Sequence, residues 1–227
     1  MLLDWAIDYI YLARGSAHMY WHRQPPRHYL GYVEAGKVPV LLLPGIALGW
    51  GFLKPLGDQI SRAGHPVYAV PDLRLNFKAI AESAAIARQV IKQHDLRDVI
   101  IMAHSKGGLI GKRLMVDDKP DPRFKGMIAV GTPFAGSRIA KAIPHPAYIE
   151  LWPESPRVAE LSAERAVNAR IISIRPKFDN HIWPAESSYL EGAAQNLTLE
   201  VKGHHKILFN PAVRTKILAL IVEMAQV

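Results

Sequence analysis

Two kinds of hydrophobic segment alternate along this chain. Short runs that are apolar throughout, and rich in β-branched residues, occur at 38–43 (VPVLLL), 67–70, 98–103 (DVIIMA), 126–130 (GMIAV), 169–174 and 197–201. Runs of this length, bounded by Gly, Pro or Asp, predict strands buried on both faces. Between them lie segments in which apolar residues recur at helical spacing, at 52–63, 79–94, 107–116 and about 211–225. The Ala- and Ile-rich stretch 79–94 is the clearest helix. The last helix has Pro211 at a first-turn position, where a missing N–H costs nothing. Strands alternating with helices predict an α/β fold, a mostly parallel central sheet with helices on both faces. Residues 138–168 break the alternation with a Pro- and Glu-containing, partly helical segment. An insertion over the C-terminal edge of the sheet would explain it, the place where a lid would sit.

The 227 residues are within reach of one domain, and 49% are apolar, enough for a substantial core. There is no cysteine, which excludes disulfides, thiol catalysis and thiolate metal sites. The formal net charge is +8. Such a charge favours anionic surfaces, but the basic residues are scattered, which gives a nucleic-acid role little support. Residues 1–37 form an N-terminal extension of open role. Its first 20 residues are apolar and aromatic but carry Asp4, Asp8 and Arg14, unlike a signal peptide. The segment reads either as a helix packed on its own domain or as an amphipathic helix making peripheral contact with an anionic membrane. A soluble, cytoplasmic protein is the expectation.

Candidate chemistry centres on 98–110, where a buried strand runs into Ala103-His104-Ser105-Lys106-Gly107-Gly108 and a helix follows at once. A Ser on such a strand–turn–helix bend sits on strained backbone and projects its hydroxyl above the sheet. Small residues two before and two after it let strand and helix approach. The helix N-terminus behind it favours a developing oxyanion. A lone hydroxyl is a poor nucleophile and needs a base, itself oriented by a third group, with the order Ser, acid, His along the chain. The acid is expected at Asp179, in a loop after a strand. Asp117, Asp118 and Asp121 follow the Ser helix directly, and Glu150, Glu154, Glu160 and Glu164 fall in the inserted segment, where they are expected to be solvated. The base is expected at His204, between the last strand and the last helix, with His205 as the alternative. His104 is expected to point away from the hydroxyl. Oxyanion donors are expected from the N–H groups of Lys106 and of Ile46, with Ala47 second. No metal or organic cofactor is required by this chemistry.

The turn Leu43-Pro44-Gly45, the Ala103–Gly108 bend, Gly131-Thr-Pro-Phe-Ala-Gly-Ser137, Asp179-x-x-Ile-x-Pro184 and Gly203-His204 followed by Asn210-Pro211 together resemble bacterial lipases and esterases of the α/β-hydrolase fold. Within that fold the nearest group contains triacylglycerol lipases and the deacylases that trim glycolipid anchors. Residues 150–156 with Leu161 resemble their lid. The likeness spans roughly residues 38–220. It implies a serine carboxylic-ester hydrolase acting through an acyl-enzyme, with a small-molecule or lipid ester as substrate and with its catalytic His and acid on His204 and Asp179. An acyltransferase or thioesterase using the same triad, or an inactive hydrolase-fold binding protein, is the alternative. Departures are Ala103 in place of Gly, Leu-Pro-Gly in place of His-Gly, and Lys106 in place of Met or Gln. A cation at 106 would bias the site toward anionic substrates unless it extends to solvent.

Overall fold

The computed structural model describes residues 2–22, 24–118 and 122–226. Six strands form one sheet: β1 (Val40–Leu43), β2 (Val67–Tyr68), β3 (Val99–His104), β4 (Phe124–Val130), β5 (Ile171–Phe178) and β6 (Gln195–Lys202). Their order is β2-β1-β3-β4-β5-β6, and every pairing is parallel. The helices are α1 (Leu2–Trp21), α2 (His28–Gly31), α3 (Lys54–Arg62), α4 (Ile80–Gln93), α5 (Lys106–Val116), α6 (Pro146–Ile149), α7 (Pro156–Ala163), α8 (Lys206–Phe209) and α9 (Pro211–Gln226).

The two-residue period of a strand sorts the apolar runs onto two faces. Leu41, Leu43, Ile101, Ala103, Met127 and Ala129 face one core with Ala84, Ala87 and Ile91 of α4 and Leu109 and Leu114 of α5. Their neighbours Val40, Leu42, Ile100, Met102, Ile128 and Val130 face the other, with Leu56 and Ile60 of α3 and Ile217, Leu220 and Ile221 of α9. A run such as VIIMA carries no polar alternation because both of its faces are covered. β6 lies at an edge, and its burial alternates, so only its Val201 is buried.

Several boundaries differ from the sequence expectation. Residues 50–53 form a 3-10 turn before α3. β2 pairs over two residues only. β5 runs on through Arg175-Pro-Lys-Phe178, where it pairs with the edge strand. No described helix is long and apolar enough to cross a membrane.

The strand order matters for function. The chain leaves β1 toward β2 on one side, then returns through β3 and continues the other way. At such a reversal the loops after the two adjacent strands diverge and open a crevice at their C-terminal ends, the usual place for a ligand in a parallel sheet. Residues 44–47 follow β1 and Ser105 follows β3, so both border that crevice.

Candidate active site

Ser105 occupies the single residue between β3 and α5, with φ 54° and ψ −125°. A side chain here is strained, and the surrounding structure holds it. The Ser105 N–H donates to the Val130 carbonyl at 2.9 Å, and Thr132 Oγ1 donates to the Ser105 carbonyl at 3.0 Å. Both clamps come from the end of β4 and the residues just after it. A Cβ on Gly107 would collide with the Leu43 carbonyl. That contact is the close approach of helix and strand end that the bend requires. The turn after β1 lies against the bend from the other side, with the position of a Gly45 Cβ 3.0 Å from Ser105 Cβ. As the first residue of α5, Lys106 has an N–H without an intrahelical acceptor.

Ser105, Ile46, His204 and His205 line one cavity of about 320 Å3. Its walls are mainly apolar and include Ile139, Ile143, Tyr148 and Leu151 of the inserted segment and Tyr9 and Leu12 of α1. Its size is at the lower end of the range for small-molecule sites. A hollow of about 460 Å3, lined by Asp98, Phe124, Arg170 and Met224, lies at the opposite ends of the strands, away from this group.

The expected acid and base meet. His204 Nδ1–H donates to Asp179 Oδ2 at 2.9 Å, and both side chains are buried. Asp179 Oδ1 accepts the N–H groups of His181 and Ile182 at 2.8 and 2.9 Å, which fixes the carboxylate plane. Burial pushes the Asp179 carboxyl up to about 6, against those two N–H bonds. Burial also pulls the His204 imidazole down to about 3, with the nearby His205 acting in the same sense. At neutral pH the pair is therefore a carboxylate facing a neutral imidazole, the charge state in which the imidazole can accept a proton.

How the rest of the His204 loop is held is not legible from local sequence. Asn180 Oδ1 accepts the His204 N–H at 3.1 Å. His104 Nε2–H donates to the His204 carbonyl at 3.0 Å, with the two rings 4.6 Å apart. His104 does not line the cavity with Ser105. It is buried beneath the base, and burial holds its ring neutral. The alternative base, His205, is engaged elsewhere: its Nδ1–H donates to Asp8 Oδ2 at 2.8 Å. Asp8 Oδ1 also accepts the N–H groups of His205 and Lys206, at 2.8 and 2.9 Å. Gly203, at φ +120°, leaves room for this carboxylate, where a Cβ would collide with it. A buried residue of α1 thus fixes both the residue after His204 and the start of α8.

Asp8, His181 and His205 bring one potential ligand atom each within 4.8 Å of one another. Asp8 and His205 are spent on each other, so the group as it stands is a hydrogen-bonded pair with a third ring beside it.

Two expectations are corrected. Lys106 does not place a cation at the site or in solvent. Its side chain is buried, and Nζ donates to the carbonyls of Asn76 and Lys78. Burial pulls its amine down to about 8. Glu150 is not solvated: its carboxylate accepts the Ile80 N–H at 2.7 Å and caps α4. Asp117 pairs with Arg113, and Asp118 accepts the N–H groups of Arg123 and Phe124, both away from the cavity. Asp121 lies outside the described residues.

The six-stranded parallel sheet with its flanking helices is an α/β-hydrolase fold. Many solved structures similar to it are lipases and esterases. Aspergillus fumigatus lipase B has 18% identity and a TM-score of 0.73 over 87% of this chain, which spans 55% of that lipase's own length. The mature lipase BlEst2 of Bacillus licheniformis has 14% identity and a TM-score of 0.68, with 87% of this chain and 96% of that one covered. The monoacylglycerol lipase of Paleococcus ferrophilus has 16% identity and a TM-score of 0.60, covering 83% of this chain and 94% of its own. No family model and no curated protein matches the sequence.

Proposed function

We propose that this protein is a serine hydrolase of carboxylic esters. The observation that carries the reading is the strained Ser105 on the β3–α5 bend, in one cavity with a His204 whose ring is bonded to the buried Asp179. In this scheme Ser105 Oγ attacks the ester carbonyl while His204 Nε2 takes its proton. Asp179 keeps the Nδ1–H tautomer and stabilises the imidazolium. The N–H groups of Lys106 and Ile46 receive the oxyanion. His204 returns the proton to the leaving alcohol, and water resolves the acyl-enzyme by the same route. The chemistry is complete with these groups and calls for no cofactor. The apolar walls favour an acyl chain, and the lipases among the similar structures point the same way.

The test is covalent labelling by a fluorophosphonate together with hydrolysis of p-nitrophenyl esters from acetate to palmitate. Wild type is expected to label at Ser105 and to give a burst. Ser105→Ala is expected to lose labelling and about 10^6-fold in turnover. A wild-type protein that neither labels nor hydrolyses any of the series rules the reading out.

A further inference from the structure

The first helix is apolar on its outer face as well as its inner one. Asp8 and Gly15 of α1 are buried, and Leu12 and Met19 pack against the core. The exposed positions of residues 2–14 are Leu2, Leu3, Trp5, Ala6, Tyr9, Ile10, Ala13 and Arg14, of which only Arg14 is charged. Leu2, Leu3 and Ile10 are 89, 73 and 66% exposed. A helix on an ordinary protein surface turns polar residues outward. The helix cannot relieve this by rolling over. Asp8 is pinned by its bonds to His205 and Lys206, and Gly15 lies against Phe52 too closely for any side chain.

We propose that the outward face of α1 docks the protein on an anionic lipid surface, with the mouth of the Ser105 cavity turned toward the lipid. That the mouth then meets acyl esters rests on the ester-hydrolase reading; the docking does not. Three observations select a bilayer over a second copy of the chain. The formal net charge of +8 repels a second copy and attracts anionic headgroups. The exposed large side chains of α1 include Trp5, Tyr9, Tyr20 and Trp21, whose rings pair an apolar body with a polar edge and suit the headgroup level. The face is also continuous with the cavity. Tyr9 belongs to both, its ring 5.9 Å from that of His181, while Ile143 across the mouth and Trp183 beside it are exposed.

The test is co-flotation of the full chain carrying Ser105→Ala with vesicles of phosphatidylcholine, with and without phosphatidylglycerol. Using this variant separates binding from turnover. The protein is expected to float with the anionic vesicles, to blue-shift its tryptophan emission there, and to be released as salt rises. Leu2→Ser/Leu3→Ser/Ile10→Ser is expected to weaken partitioning by about ten-fold or more, since it removes three inserted side chains. None of these three residues lines the cavity, so the same triple change in the wild-type background is expected to keep the folded circular dichroism spectrum and the rate on a soluble short-chain ester. Wild-type protein that stays off both kinds of vesicle, a triple variant that floats as well as its parent, or a concentration-dependent dimer broken by the triple change would each overturn the docking. Flotation without any ester hydrolysis would leave the docking standing and remove the hydrolase reading.

Discussion

At the scale of single residues, Asp179 shows the tension between chemistry and stability. Its carboxyl is held up at about 6 by burial, whereas an unfolded aspartate titrates near 3.9. A group raised on folding contributes stability below its unfolded pKa, and that contribution is lost as pH rises through the folded one. At pH 8 the charged side chain is therefore a net cost to the fold, of order 2–3 kcal/mol. Asp179→Asn keeps an oxygen for the His181 and Ile182 N–H groups but places an NH2 against His204 Nδ1, which favours the wrong tautomer. Turnover is expected to fall by about 10^4-fold, on the pattern known for serine proteases. The melting temperature at pH 8 is expected to match or exceed that of wild type, and the difference to shrink by pH 4, where wild-type Asp179 is itself protonated. Calorimetry at the two pH values decides it; a clear loss of stability at pH 8 would contradict the desolvation argument.

At the scale of elements, α1 is part of the wall and support of the site, although it lies outside the sheet. Asp8 is its link, with three bonds to the segment that follows His204. Asp8→Ala removes all three acceptors, each a charge-assisted bond worth about 1.5–3 kcal/mol, and leaves the N–H groups of His205 and Lys206 unpaired. The expected result is faster hydrogen exchange in α1 and α8, with kcat falling more than KM rises. Asp8→Asn retains an oxygen acceptor for the two N–H groups and should recover part of the loss. Equal exchange in wild type and Asp8→Ala would show that α1 docks by its apolar contacts alone.

The same element marks the limit of what local sequence encodes. β1, β3 and β4 were legible because strands covered on both faces are written as unbroken apolar runs. The Ser105 bend was legible because its constraints are local: small residues within two positions and a helix at once after. Asp179 and His204 could be placed because each follows a strand in the order the fold imposes. The Asp8–His205 pair spans 197 positions, and nothing near Asp8 distinguishes it from any acidic residue on an amphipathic helix. Lys106 and Glu150 depart from expectation for a related reason. A charged residue is normally solvated, and only the path of a neighbouring loop supplies the carbonyls at Asn76 and Lys78, or the bare N–H at Ile80, that bring these two inward.

For the whole molecule, the histidines set the response to acid. His104 and His204, both buried, and the partly buried His181 form a contiguous group with rings 4.6 and 5.0 Å apart, and burial lowers the affinity of each for a proton. His65, buried at the far end of β1, is lowered for the same reason. In the unfolded chain these rings titrate near 6.5. The unfolded state therefore binds more protons than the native state as pH falls below that value. Stability is fully present above about 6.5 and drains away at up to about 1.4 kcal/mol per pH unit for each ring that stays neutral. Asp8, held low by its bonds to His205, adds a loss of the same sign at more acid pH. Asp179 works against them, since its raised carboxyl takes up a proton on the native side below about 6. One carboxylate set against three rings of lowered proton affinity leaves a net loss of several kcal/mol between pH 7.5 and 5. The urea midpoint is expected to fall steeply over that interval with an unchanged m-value, because the surface exposed on unfolding is the same. A flat midpoint would mean that the rings are protonated inside the fold, and a protonated His204 could not serve as the base on which the proposed chemistry depends.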